Sequence, residues 1–128
     1  MTREEIIGTY DGYIACLNRQ DWPQLSRYVD AAVTHNARPL GLDGYRDMLI
    51  GDFRAIPDLR FVVARLACDP PLLAAGLAFD CRPVGRLFDV PVNGRRVRFT
   101  ENVFYAFEAG RIRNVWSVID TAAIRAQI

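Results

Sequence analysis

The chain has 128 residues, the length of one average domain, and 51% of them are hydrophobic. Sixteen Lys and Arg against fifteen Asp and Glu give a formal net charge of +1. This near-balance argues against a dedicated nucleic-acid or membrane-surface protein, which would show a clustered basic excess. The three cysteines, Cys16, Cys68 and Cys81, form no CxxC or Cys–His cluster, so we expect no metal site. We expect a single domain over residues 1–128.

The N-terminal segment 1–7 carries acidic residues and lacks the apolar core of a signal peptide. No segment approaches the roughly 18 to 20 apolar residues that a membrane helix needs. The sequence therefore predicts a cytoplasmic protein with no membrane or nucleic-acid partner.

Helices are predicted in the first part of the chain. Thr2 followed by Glu5 has the pattern of a capping box. Apolar residues then recur at helical spacing: Ile6, Ile7, Tyr10, Tyr13, Ile14 and Leu17. Asp21 and Pro23 indicate a second, shorter helix, and residues 32–36 a short extended piece. A third helix is expected from Asp43 to the Pro57-Asp58 pair, with its inward face formed by Tyr45, Met48, Leu49 and Phe53.

The second part of the chain has the pattern of β-strands. Apolar and β-branched residues predict four strands, over residues 59–68, 72–81, 96–107 and 112–120. The connection over residues 83–94 is long and could hold an edge strand, and residues 121–127 read as a short helix. Helices followed by an antiparallel meander predict an α+β fold, with the helices packed on one face of a curved sheet.

The last strand places a carboxylate at the end of an apolar stripe. Alternate residues share one face of a strand, and here they are Ile112, Asn114, Trp116, Val118 and Asp120. One interpretation is that Asp120 enters an apolar cavity, where burial would raise its pKa and make it a better base. The other is that Asp120 caps the terminal helix.

Glu101 is the one charge in an otherwise apolar row of the preceding strand. The row consists of Val97, Phe99, Glu101, Val103, Tyr105 and Phe107. If that face is inward, burial raises the pKa of Glu101. A two-residue loop at Ala109-Gly110 puts Glu101 on the face of Asp120, whereas a three-residue loop puts Asn102 there. The more apolar row favours Glu101.

Several of these stretches together resemble one known family. Residues 94–97 (GRRV), 107–110 and 112–120, with Trp116 four residues before Asp120, resemble the C-terminal signature of SnoaL-like polyketide cyclases. Upstream, His35 with Pro39, Gly41 and Gly44, and then residues 53–58, resemble further family motifs in the same order.

The resemblance implies an NTF2-like cone, with helices closing a strongly bent antiparallel sheet, in a homodimer formed through the sheet. It also implies aldol ring closure on a polyketide ester without metal or cofactor, with Asp120 as the general acid/base. Fold does not fix function, so a cofactor-free cyclase, lyase or isomerase is weighed against a non-catalytic ligand-binding domain and a filled structural core.

The chemistry assigns roles to the remaining candidate residues. A base at Asp120 would take a proton next to a carbonyl, and His35 or Asn36 could donate a hydrogen bond to the enolate oxygen. The residues expected to line the pocket for a small apolar molecule are Tyr13, Phe53, Phe79, Asn102 and Trp116.

Overall fold

Helices and a mixed sheet account for most of the chain, and the computed structural model describes residues 1–128. The helices are α1 (Arg3–Arg19), a 3₁₀ helix (Trp22–Arg27), α2 (Gly41–Ala55) and α3 (Thr121–Ala126). The strands are β1 (Val29–His35), β2 (Val62–Asp69), β3 (Leu72–Cys81), β4 (Arg86–Leu87), β5 (Val90–Pro91), β6 (Val97–Glu108) and β7 (Arg111–Ile119). The predicted α+β class is confirmed.

The predicted capping box begins α1. The Thr2 hydroxyl accepts a hydrogen bond from the Glu5 amide at 3.1 Å, and the Glu5 carboxylate accepts one from the Thr2 amide at 3.0 Å. Two otherwise unpaired donors are thus satisfied. The side of α1 that packs into the core carries Ile6, Tyr10, Tyr13, Cys16 and Leu17.

The five-stranded sheet has the order β1-β7-β6-β3-β2. All neighbours are antiparallel except β1 and β7, which run parallel. The predicted antiparallel meander is thus present in β2, β3, β6 and β7, and β1 extends it as a parallel edge strand. Because β1 lies between the 3₁₀ helix and α2, no tight turn ties it to a neighbouring strand in an antiparallel direction. β4 and β5 form a separate two-stranded hairpin instead of the predicted edge strand.

Regular alternation in β3 and β6 defines the inner face of the sheet. The two strands pair without interruption from Leu72 opposite Ala106 to Cys81 opposite Val97. In β6 the predicted row that contains Glu101 points inward, while Asn102 is exposed on the outer face. The helices cover this inner face, and the apolar core lies between the two layers.

An extra residue in β7 reverses the predicted orientation of the C-terminal part of that strand. The two-residue loop at Ala109-Gly110 is present, but the register shifts so that Phe107 faces Ile112 and Ala106 faces Asn114. Arg113 is therefore a bulge, and the residues after it change faces. Ile112 is buried as predicted, whereas Trp116 and Val118 are 43% and 72% exposed.

Asp120 consequently lies outside the core, and the prediction that it enters an apolar cavity is wrong. Its carboxylate accepts a hydrogen bond from the Ala123 amide at 3.0 Å and caps α3. Asp120 also borders an open groove on the sheet surface with Asp80, Arg98 and Thr100. The capping interpretation is the one that the structure bears out.

None of the helices combines the length and the hydropathy that crossing a bilayer would require.

The cap at Asp120 makes a stability prediction. We expect Asp120→Ala to lower the free energy of unfolding by about 0.5–2 kcal/mol, because the Ala123 amide loses its acceptor. Asp120→Asn should change it by much less, because an amide oxygen can accept the same hydrogen bond. Urea denaturation of the two variants checks this, and equal losses in both would contradict the capping role.

Candidate active site

A cavity of about 170 Å³ lies between α1, α2 and the inner face of the sheet. Nineteen residues line it, and fifteen of them are hydrophobic. The remaining four are polar and belong to four different elements of the fold: His35, Asp52, Glu101 and Ser117. No Lys or Arg borders the cavity, so its two carboxyls have no basic side chain beside them among the lining residues.

Four of the residues predicted for the site border this cavity. His35 ends β1, Glu101 lies in the middle of β6, Tyr13 comes from α1 and Phe79 from β3. The structure therefore brings together side chains that lie up to 88 positions apart in the sequence. Their catalytic and binding roles stay predictions.

The other predicted residues lie elsewhere. Phe53 is buried in the core against Trp22 and Phe61 and does not border the cavity. Asn102 and Trp116 are on the outer face of the sheet for the reasons of register given above.

Asn36 is also outside the cavity, but it supports a residue that borders it. Its side-chain oxygen accepts a hydrogen bond from the Ser117 amide at 2.8 Å, and its side-chain nitrogen donates to the Ser117 carbonyl at 3.3 Å. This two-point contact fixes the backbone of β7 where Ser117 enters the cavity, so Asn36 has a supporting position in place of the predicted binding one.

The Glu101 carboxyl is the strongest candidate for acid/base chemistry. Burial raises its pKa to about 7, because the charged form loses most of its hydration in the cavity. Hydrogen bonding by the Ser117 hydroxyl acts in the opposite direction, and the nearby Asp52 charge adds a smaller increase. A carboxyl with a pKa near neutrality is a far better base than an ordinary one at the pH of the cell.

Asp52 is a site residue that the sequence analysis missed. It lies on α2, and burial raises its pKa to about 6. A signal for it was present, since Asp52 follows Met48 by four positions and Leu49 by three and so shares their inward stripe. Two carboxyls whose environments push their pKa values upward in one cavity are typical of catalytic sites.

A short polar chain connects Glu101 to His35 through Ser117. The Ser117 hydroxyl interacts with the Glu101 carboxyl, and its oxygen lies 3.2 Å from His35 Nε2. Burial, and to a lesser extent the Arg38 charge, lowers the pKa of His35. The imidazole is therefore neutral at pH 7 and carries one ring proton.

The donor and acceptor of each hydrogen bond between these side chains follow from counting protons. When Glu101 is ionised, Ser117 donates its one hydroxyl proton to the carboxylate, and the serine oxygen then accepts from His35 Nε2–H. His35 Nδ1 is then unprotonated, in agreement with its being buried without a partner. The tautomer is assigned from this network.

This order differs from that of a nucleophilic triad. In such a triad the imidazole removes the serine proton and the carboxylate holds the other ring nitrogen. Here no carboxylate holds the other ring nitrogen, because His35 Nδ1 is buried without a partner. Ser117 is therefore placed to tune Glu101, and the arrangement favours proton transfer at a carboxyl over attack by a serine.

Tyrosine hydroxyls provide hydrogen-bond donors to the same cavity. The hydroxyls of Tyr13 and Tyr45 are 2.7 Å apart, and burial raises the pKa of both well above the ordinary value. They stay protonated at neutral pH. One hydroxyl accepts a hydrogen bond from the other, and its own proton is then available for a hydrogen bond to a third group.

No three His, Cys, Asp or Glu side chains come together closely enough to hold a metal ion.

The comparison with known proteins agrees with this fold. The family model described as "SnoaL-like polyketide cyclase" matches residues 8–128. A crystal structure of a SnoaL-like polyketide cyclase from Agrobacterium tumefaciens is 51% identical in sequence, with a TM-score of 0.95. The match covers 99% of this chain and 98% of that one. No curated protein sequence matches the chain.

More distant structures share the fold. TsrD from Streptomyces laurentii superimposes with a TM-score of 0.86 at 21% identity, covering 99% of this chain and 96% of that one. IdmH from Streptomyces antibioticus superimposes with a TM-score of 0.79 at 18% identity, covering 95% of this chain and 96% of that one. The NTF2-like α+β fold implied by the sequence motifs is thus confirmed. From the model match and the 51% identical structure together, the chain belongs to the SnoaL-like polyketide cyclase family.

Proposed function

We propose that this protein is a cofactor-free acid/base enzyme of the aldol cyclase, isomerase or dehydratase type, acting on a small apolar carbonyl compound. The observation that carries the proposal is the Glu101 carboxyl, buried in an apolar cavity with its pKa raised to about 7. Family membership supports carbonyl chemistry of this kind.

Glu101 is the base in the proposed reaction. Its carboxylate takes a proton from the carbon next to the substrate carbonyl, and the electrons of that C–H bond move into an enolate. The Tyr13–Tyr45 pair, which has one free O–H, donates a hydrogen bond to the enolate oxygen. The Asp52 charge strengthens the base by raising the pKa of Glu101. The enolate then attacks a second carbonyl, expels a leaving group or regains a proton at another carbon.

The cavity also limits which ligands fit the proposal. Two carboxyls and no Lys or Arg border it, so a carboxylate or phosphate would meet repulsion with no compensating cation. An engineered apolar cavity of roughly 150 Å³ in another protein holds benzene. The volume of about 170 Å³ here therefore suits an uncharged molecule of one or two rings.

Proton exchange at carbon tests the role of Glu101 without knowledge of the natural substrate. We expect the protein to accelerate hydrogen–deuterium exchange at C1 of 2-tetralone in D₂O, followed by NMR. The rate should rise with pH through a midpoint near 7, as Glu101 loses its proton. Glu101→Gln should reduce the catalysed rate by roughly 10²–10⁴-fold, because it removes the base.

Two variants act as controls in this assay. Asp120→Asn, which keeps the cap, should exchange at the wild-type rate if Glu101 is the base. Asp52→Asn should move the midpoint to lower pH, because the charge that raises the pKa of Glu101 is lost. Full exchange activity in Glu101→Gln, or its loss in Asp120→Asn, contradicts the assignment. Binding of 2-tetralone with no exchange in the wild type would favour a ligand-binding domain instead.

The raised pKa of Glu101 also predicts that replacing this residue increases the free energy of unfolding at high pH. Between pH 4.5 and about 7 the folded chain holds a proton that the unfolded chain has released, so the free energy of unfolding falls as pH rises. Glu101→Gln carries no charge and escapes this loss. At pH 8.5 we expect it to be more stable than wild type by on the order of 3 kcal/mol.

Chemical denaturation over a pH series measures this difference. The measurement at pH 4 is the internal control, since Glu101 is then protonated in both states and the advantage should disappear. A variant less stable than wild type at pH 8.5 would show that the carboxyl is not destabilised by burial.

We further propose that two copies associate through the outer face of the sheet. Phe104 and Trp116 are paired across β6 and β7, and Val118 lies opposite Asn102 on the same face. All three apolar side chains are exposed, and a contiguous apolar patch of this kind marks an interaction surface. A second copy fits it because a two-fold dimer needs one self-complementary patch.

Substitution of a lysine at Val118 tests the proposed dimer. We expect wild type to sediment as a dimer and Val118→Lys as a monomer, because a charge cannot be buried unpaired in the interface. Val84→Lys is the matched control, since Val84 is also an exposed valine but lies outside the sheet. A monomeric wild type in analytical ultracentrifugation refutes the proposal.

A further inference from the structure

Phe88 differs from all other residues that border the cavity. It is the one exposed member of the set, with 39% of its surface accessible, while the others are buried or half-buried. Its ring meets Phe99 edge-on, with 6.3 Å between the ring centroids and 81° between the planes. Phe88 therefore lies where the cavity meets solvent.

The hairpin that carries Phe88 is anchored to the rest of the protein. Leu87 and Val90, the residues that pair across it, are both buried. At its base the Gly85 carbonyl accepts hydrogen bonds from the amides of Val92 and Asn93, at 2.9 and 2.8 Å. The body of the hairpin is thus fixed to the rest of the protein.

The backbone at the tip is unfavourable for the residues found there. Phe88 and Asp89 have φ values of 48° and 65°, so both are in the left-handed region. A two-residue hairpin loop of this kind favours Asn-Gly, and a bulky residue with positive φ is an outlier. Such strain persists where the surrounding structure holds it, often at ligand sites. Here it directs an aromatic ring over the cavity.

We propose that Phe88 closes the mouth of the cavity and sets the largest ligand that the cavity admits. This inference deepens the proposed function and rests on the cavity being the site for a carbonyl ligand. Rotation of one side chain is enough to open the mouth, because the hairpin body need not move. With the ring in place, the volume of about 170 Å³ suits a small aromatic ketone; without it, a larger one has room to extend towards solvent.

Binding of two uncharged ketones tests the proposal. The probes are 2-acetylnaphthalene, with two rings, and 2-acetylphenanthrene, with three, and titration calorimetry measures both dissociation constants. We expect wild type to prefer the smaller ketone, and Phe88→Gly to reduce that preference at least tenfold. Phe88→Asn, which also tolerates positive φ, should act in the same direction and replaces the glycine variant if that variant does not fold.

Asp89→Gly is the matched control. It relaxes the second strained residue of the same turn but keeps the Phe88 ring, so its size preference should equal that of wild type. An unchanged preference in the Phe88 variants overturns the proposal, as does an equal change in Asp89→Gly. Failure of both ketones to bind the Phe88 variants also overturns it, because an open cavity should admit them.

These outcomes are separate from those that test Glu101. Size preference is an equilibrium of binding and needs no proton transfer. A protein that selects ketones by size and does not catalyse exchange would therefore support the gate at Phe88 and contradict the proposed reaction. The reverse result, exchange at carbon together with a size preference that does not depend on Phe88, would support the reaction and contradict the gate.

Discussion

The bulge at Arg113 is the constraint on which the composition of the site depends. It inserts one residue into β7, so every later side chain of that strand takes the opposite face. The Arg113 guanidinium donates to the Ala32 carbonyl of β1, which ties the bulge to the parallel edge of the sheet. As a consequence Ser117 enters the cavity and Trp116 faces outward. Without the bulge, an indole would occupy the wall where a hydroxyl now tunes Glu101.

The site also concentrates features that oppose stability. Glu101 is buried with no cation beside it, and Phe88 has a backbone conformation unsuited to its side chain. Other parts of the chain satisfy ordinary preferences, as in the capping box at Thr2 and the unbroken pairing of β3 with β6. Departures from local rules beside a cavity are expected at functional sites. In the proposed gate the two features have complementary effects, since a ring over the mouth would keep water from the carboxyl.

Much of the fold could be predicted because its patterns are long and regular. Alternation through β6 is uninterrupted, so the inward position of Glu101 followed from the sequence. The orientation of Ser117 did not, because a single bulge reverses the parity of a strand and has no local signature here. Pairing of β1 with β7 joins segments about 80 residues apart, and no turn reports it. Asp52 is different. Its helical spacing placed it on the inward stripe of α2, but it was not predicted because a charged residue is not expected on such a stripe.

The positions of two carboxyls can now be distinguished. The sequence motifs assigned acid/base chemistry to Asp120 by its position after Trp116, but position along a strand does not determine which face a side chain takes. In the structure one Asp120 oxygen accepts from the Ala123 amide, and the groove beside it opens to water. An apolar ligand in the cavity meets Glu101 instead. If the proposed chemistry holds, the two carboxyls have different tasks on the two faces of one sheet. Asp120, on the outer side, ends β7 and caps α3. Glu101, on the inner face, is made a stronger base by burial.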